Sequence, residues 1–210
     1  MLQIKYTPCR LKMKKNIDLS NLEFEPKLPE NLTVYGDLDL RGTKITKLPS
    51  GLKVDGYLYL EDTQIKELPS DLKVGEGLYL TNTSIKELPS GLKVDGSLYL
   101  TNTPIRELPS GLEVGGSLYL EDTSIKELPS DLKVGGSLDL RNTSIKELPS
   151  GLKVGGSLYL NNTPIRSLPS DLEVGGSLFL SNTPGIPVSE KYTRERLKKV
   201  LPNVTGKIYI

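Results

Sequence analysis

Histidine and tryptophan are absent from this 210-residue chain, and cysteine occurs once, at Cys9. Without histidine the commonest general base and metal ligand is gone, and a lone cysteine forms no internal disulfide. Cys9 reads as an inert thiol, and this usage agrees with a reducing setting. An excess of either charge is also missing, because 27 basic against 26 acidic side chains leave +1. That balance argues against a general nucleic-acid partner. By segment, residues 1–27 carry six basic and three acidic groups and residues 186–210 six and two, so ends of +3 and +4 leave −6 on the middle. No apolar run approaches the ~18 residues of a membrane span, so no membrane partner is expected. Met1 to Lys15 is basic but lacks the apolar stretch of a secretory signal and reads as a mature N-terminus. The expected location is cytoplasmic, or outside the cell by a route that needs no classical signal peptide.

What the chain has in abundance is repetition. Eight consecutive units beginning at Leu28, Leu48, Leu68, Leu88, Leu108, Leu128, Leu148 and Leu168 read L-P-x-x-L-x-V-x-G-x-L-x-L-x-x-T-x-I-x-x. Self-similarity at a short fixed period means a solenoid in which each unit packs only on its neighbours. A single unit offers about six apolar side chains, for example Leu48, Leu52, Val54, Leu58, Leu60 and Ile65. These are too few to offset the ordering of twenty residues without stacking. The organisation expected is an N-terminal cap over 1–27, eight repeats over 28–185 and a C-terminal cap over 186–210.

Both ends break the pattern, as capping requires. Ile17 to Phe24 echoes L-x-L-x-x-T-x-I with Leu22 in the threonine place. Ser189 to Leu201 spaces Tyr192, Leu197, Val200 and Leu201 as a short capping helix would, with Ser189 as N-cap and Pro202 past its end. Val204 to Ile210 then restores V-x-G-x-L-x-L as a ninth strand. Within each unit, Leu58-Tyr59-Leu60 alternates as a half-buried strand, and Leu-Pro cannot continue a ladder because proline lacks an N–H. The fold expected is a mainly β repeat solenoid with one parallel sheet and little helix beyond the C-terminal cap.

The stretch Leu98-Tyr-Leu100-Thr-Asn-Thr103-Pro-Ile105-Arg-Glu-Leu108-Pro109 resembles the leucine-rich repeat signature, with threonine in place of the usual asparagine. The repeat length is similar to the short bacterial and phage-like type, and the likeness covers residues 28 to 185. The resemblance implies a curved stack whose strand face binds other macromolecules, usually proteins. It also implies an interior ladder role for Thr43, Thr63, Thr83, Thr103, Thr123, Thr143, Thr163 and Thr183. The V-x-G entry departs from that pattern, so Gly56 marks either a positive-φ turn or a close backbone approach. Glu76 stands in this glycine place, where either the turn shifts by one residue or a carboxylate points inward.

Catalytic constellations are missing. Glu67, Glu87, Glu107, Glu127 and Glu147 recur beside basic residues because the repeat recurs, which describes a solvated face. The V-G-G-S runs lack the lysine and helix of a phosphate loop, and no carboxylates sit at metal-ligand spacing. No cofactor, no metal and no enzymatic activity are expected. The candidate surface is the outward position of the strand, by the period of two. It reads Asp39, Tyr59, Tyr79, Tyr99, Tyr119, Asp139, Tyr159, Phe179 and, in the cap, Tyr209. An aromatic stripe with polar tips suits an interface, and Asp39 with Arg41 and Asp139 with Arg141, within reach of Glu61 and Glu121, read as surface salt bridges of small worth or as polar specificity points in it. Rings in register also stack for stability alone. The expectation is a binding protein, a monomer by default, with an unidentified protein partner, and the alternatives are a carbohydrate-binding solenoid or a purely structural scaffold.

Overall fold

A computed structural model describes residues 12, 13, 15–184, 186, 197–199 and 201–210. Cys9, Ser189 and Tyr192 lie outside the described residues. Each twenty-residue turn lays down two short strands, as in Glu113–Val114 and Leu118–Tyr119. Stacked in register, they form two parallel sheets. One has nine strands from Lys12–Met13 to Glu173–Val174, and the other has ten from Ile17–Asp18 to Ile208–Tyr209. Glu113 pairs with Lys133 and Leu118 with Leu138, one turn apart. The chain is thus a parallel-strand solenoid, but the single sheet expected from sequence is two.

Backbone hydrogen bonding explains the second sheet. At the V-x-G entry each turn donates to the turn before it, as when Gly115 N–H bonds the Val94 carbonyl at 2.9 Å and Gly116 N–H the Gly96 carbonyl at 2.8 Å. Past the corner the direction reverses, and Leu98 N–H donates forward to the Ser117 carbonyl at 2.9 Å. The residue at the reversal needs a different acceptor, and a side chain supplies it. Ser117 N–H donates to Ser97 Oγ at 3.0 Å, Ser137 N–H to Ser117 Oγ at 2.9 Å, and Tyr57 N–H to Asp37 Oδ1 at 2.9 Å.

The glycine at this corner reflects close approach, not positive φ. A Cβ built on Gly116 would meet the Gly96 carbonyl carbon at 2.7 Å and Ser97 N at 2.8 Å. Glu76 occupies the same place without shifting the turn, since its N–H still donates to the Gly56 carbonyl at 3.2 Å. Its side chain is exposed and does not point inward. The adjustment falls on Gly77, where a Cβ would strike the Tyr57 ring at 2.9 Å.

Six apolar columns fill the interior. In one turn Leu98, Leu100, Ile105, Leu108, Leu112 and Val114 are all buried, and the same positions are buried in neighbouring turns. The threonine column is buried as well, but it works within a turn and not between turns. Thr103 Oγ1 donates to the Leu100 carbonyl three residues back at 2.7 Å, and Thr43 through Thr183 repeat the bond. The ladder between turns stands one residue earlier, in an exposed column that sequence reading passed over. Asn102 Nδ2 donates to Asn82 Oδ1 at 2.7 Å and Asn82 Nδ2 to Asp62 Oδ1 at 2.9 Å. Every member from Asp62 to Asn182 has φ between 57° and 59°. Only Gly, Asn and Asp visit that region readily, which explains why position 42 is glycine and the rest are Asx.

The ends continue the same ladders. Ile17–Asp18 pairs with Leu38–Asp39, and Ile208–Tyr209 pairs with Leu178–Phe179. Phe24, in the place of a buried isoleucine, is instead 65% exposed. A helical turn at 197–199 buries Leu197 and Leu201, with Leu201 N–H donating to the Leu197 carbonyl at 2.8 Å. Val204 then bridges to Val174.

The two columns differ in what a substitution removes. Thr103→Val loses a buried bond to a carbonyl and is expected to cost about 1 kcal/mol. Asn102→Ala loses the rung to Asn82 and forces alanine into positive φ, for about 1 to 2 kcal/mol. Asn102→Gly should recover the strain part, and Lys126→Ala should change little. Denaturant titration checks the order, and a fully stable Asn102→Ala would contradict the account.

Candidate functional site

Leu98 and Leu100 point into the core, so Tyr99 between them faces out. Parallel register places Tyr99 beside Tyr79 and Tyr119. Strand spacing of about 4.8 Å lies near the distance at which rings stack. The Tyr59–Tyr79, Tyr79–Tyr99 and Tyr99–Tyr119 centroids are 4.8, 4.2 and 4.5 Å apart, and the last two pairs are tilted by only 9°. Beyond Asp139 a second stack runs Tyr159–Phe179–Tyr209, at 4.6 Å in both steps. The aromatic residues singled out from sequence therefore form two stacks, of four rings and three. Their faces are covered by one another, and ring edges and hydroxyls are what the surface presents.

Burial pushes the phenols of Tyr59, Tyr79 and Tyr99 above the ordinary value of 10.0. Tyr57 is raised chiefly by the hydrogen bond to the Glu76 carboxylate. Its ring lies 5.8 Å from Tyr59 and 6.2 Å from Tyr79, over the space that Gly77 leaves. Tyr57 stands outside the column read from sequence, and that reading missed this cluster. The signal was the joint departure of Tyr57, Glu76 and Gly77 from a corner that later reads Gly-Ser.

The stacks end at two Asp–Arg clasps. Arg141 Nε donates to Asp139 Oδ1 at 2.9 Å, and Arg141 Nη2 donates to Asp139 Oδ2 at 2.6 Å. The same Nη2 reaches Glu121 Oε2 on the preceding turn at 2.9 Å. Asp139 was expected as an exposed specificity point, yet its side chain is 3% exposed. Its short carboxylate sits low between larger neighbours and Arg141 folds over it, so a partner meets the arginine and not the aspartate. Arg141 also lies over the Tyr159 ring, 5.8 Å from its centroid. Asp39 and Arg41 repeat the clasp, with Arg41 5.1 Å over Tyr59.

Glu61 and Glu121 sit beside the first and last rings of the four-ring stack, and burial raises both carboxyl groups above the ordinary range. On the first-sheet face, away from this column, Glu113 bridges Lys93 and Lys133 at 2.8 Å each. Those lysines lower its pKa to about 2. A shallow groove of about 670 Å³, lined by Lys126, Glu127, Lys146 and Glu147, lies on the return side. Among the described residues, no group of three or more His, Cys, Asp or Glu is placed to hold a metal ion, and no helix is long and apolar enough to cross a membrane.

No protein-family model and no curated protein matches this chain. Among solved structures it is similar to YopM from Yersinia enterocolitica WA-314. The identity is 20% and the TM-score 0.42, over 78% of this chain and 48% of that one. The chain thus spans about half the length of that protein.

The stacks and clasps predict two behaviours. Asp139→Ala leaves Arg141 with Glu121 alone over an emptied site and is expected to cost about 2 kcal/mol, less than a fully buried pair because Arg141 is 40% exposed. Denaturant midpoints against Glu147→Ala, which removes an exposed carboxylate, check it. In alkali, phenols raised in the folded state hold their protons there longer than in the unfolded chain. Their contribution is present below pH 10 and is lost as pH rises through the folded values. The melting temperature should fall over that range in wild type and fall less when Tyr59, Tyr79 and Tyr99 are all phenylalanine.

Proposed function

We propose that this protein is a non-enzymatic, leucine-rich-repeat-like scaffold that engages a protein partner through the aromatic strand face. The supporting observation is the stacked column itself. Tyr59, Tyr79, Tyr99 and Tyr119 are locked by one another and by the ladder beneath them, so binding orders few side chains, a saving that favours affinity. Tyr159 and Phe179 extend the face beyond Arg141. Aromatic anchors of this kind dominate protein interfaces.

The covered ring faces distinguish this reading from the carbohydrate alternative. Sugars stack on open aromatic faces, whereas these rings offer edges and hydroxyls, which suit backbone amides and side-chain acceptors of a protein. A purely structural scaffold accounts for the stacking but not for hydroxyls kept at five of the six aromatic positions from Tyr59 to Phe179. The setting proposed is the cytoplasm, or export without a classical signal peptide. In its most concrete form the chain is a bacterial or phage factor that occupies a host protein.

Two variants test the interface. Tyr99, Tyr119 and Tyr159 all changed to serine should lose partner capture by at least tenfold, while circular dichroism still shows the β signal. The same three changed to phenylalanine should keep the stacks and lose only hydroxyl-dependent binding. Full capture by the folded serine variant would refute the reading, and loss of capture to competing free oligosaccharide but not to competing protein would favour the sugar alternative.

A further inference from the structure

The residue two places after each member of the inner column, from Asp39 to Asp139, forms a second column along the same face: Arg41, Glu61, Thr81, Thr101, Glu121, Arg141. Together with the inner column it frames the four-ring stack with a clasp and a glutamate at either end. The two ends are chemically alike and differ in one respect. At the far end Glu121 Oε2 accepts from Arg141 Nη2, which comes from the following turn. At the near end the following turn supplies Thr81, and Glu61 Oε2 is buried with no hydrogen-bond partner among the described residues.

Arg41 does not fill the gap. It stands on the turn before Glu61, and its guanidinium is held by Asp39 through three bonds of 2.5 to 3.1 Å. Among the described residues no ion pair joins Arg41 to Glu61. A desolvated carboxylate oxygen without a donor is a standing penalty, in keeping with the upward pKa shift that burial imposes on Glu61. Thr81 is short where Arg141 is long, so the following turn brings no guanidinium to Glu61.

Resting on the aromatic face being a protein interface, we propose that Glu61 and Thr81 form its arginine-recognition point, where a partner's guanidinium takes the position that Arg141 takes against Glu121. The carboxylate turns outward and accepts from the guanidinium. Thr81, in the register position of Arg141, brings a hydroxyl oxygen able to accept a remaining N–H. Lysine fits less well, since the internal template is a guanidinium and an ammonium lacks its planar fork.

The test uses the whole chain with N-acetyl-arginine amide as probe, read by the side-chain carboxyl carbon resonances of glutamate. Glu61 should shift saturably, at least fivefold more than Glu121 and Glu107, and its pKa should fall toward the ordinary range. N-acetyl-lysine amide should give less than a third of that shift. Thr81→Arg should reproduce the fall in the Glu61 pKa without probe and abolish the response to it. Equal shifts at all three glutamates, equal response to lysine, or a Glu61 resonance unmoved by Thr81→Arg each overturn the proposal. The outcome separates from the interface itself. If the serine triple variant loses capture and arginine leaves Glu61 unmoved, this proposal alone fails. If that variant keeps capture while Glu61 binds arginine, the interface reading fails.

Discussion

Hydrogen bonding between turns is the constraint from which the rest of the structure follows. Because each turn pairs with the next at a fixed twenty-residue offset, every position becomes a column, and a column tolerates only residues that can sit about 4.8 Å above their own kind. Leucine and valine satisfy this by packing, serine by accepting the next N–H, asparagine by donating to its neighbour and tyrosine by stacking. Repetition is therefore the result of a geometry that asks the same question of each turn. The reversal of donor direction at the corner is the one place where backbone alone cannot answer, and there Ser97, Ser117 and Asp37 lend an oxygen.

The solenoid, its six apolar columns and the closing strand at Ile208 were legible because they rest on period and hydrophobicity, which a sequence displays directly. The second sheet was not, because Lys53–Val54 shows only one apolar residue and its pairing depends on backbone direction. Threonine misled for a related reason. Its burial follows from its place between leucine and isoleucine, but whether its hydroxyl bonds within a turn or between turns is set by the tight bend that the residue before it makes. That residue was readable in principle, since a column restricted to Gly, Asn and Asp points to positive φ.

At the surface, sequence placed the right residues in line but could not say which atoms remain available. Tyr99 and Asp139 occupy equivalent positions, yet one presents an edge and a hydroxyl while the other is covered by its own arginine. The difference lies in side-chain reach. A ring extends past the sheet and meets its neighbours, whereas a two-atom carboxylate between rings stays low and draws a guanidinium down upon it. Stacking and recognition are compatible in such a column, because the interaction that rigidifies the rings uses their faces and leaves their rims to a partner.

Departures from the repeat carry more information than the repeat does, since each must be compensated where it occurs. Tyr57 is accommodated by Gly77, at the loss of the serine acceptor that later turns possess. Aspartate at 62 and 122 has no amide to donate backwards, so each begins a new asparagine ladder instead of extending the last. Asp139 is answered by Arg141, and Arg141 in turn by Glu121. Among the described residues Glu61 Oε2 and Thr33 Oγ1 are buried without a hydrogen-bond partner. A carboxylate oxygen weighs more than a hydroxyl because the group carries charge, so the irregularity at Glu61, beside the stacked rings, is the more costly of the two.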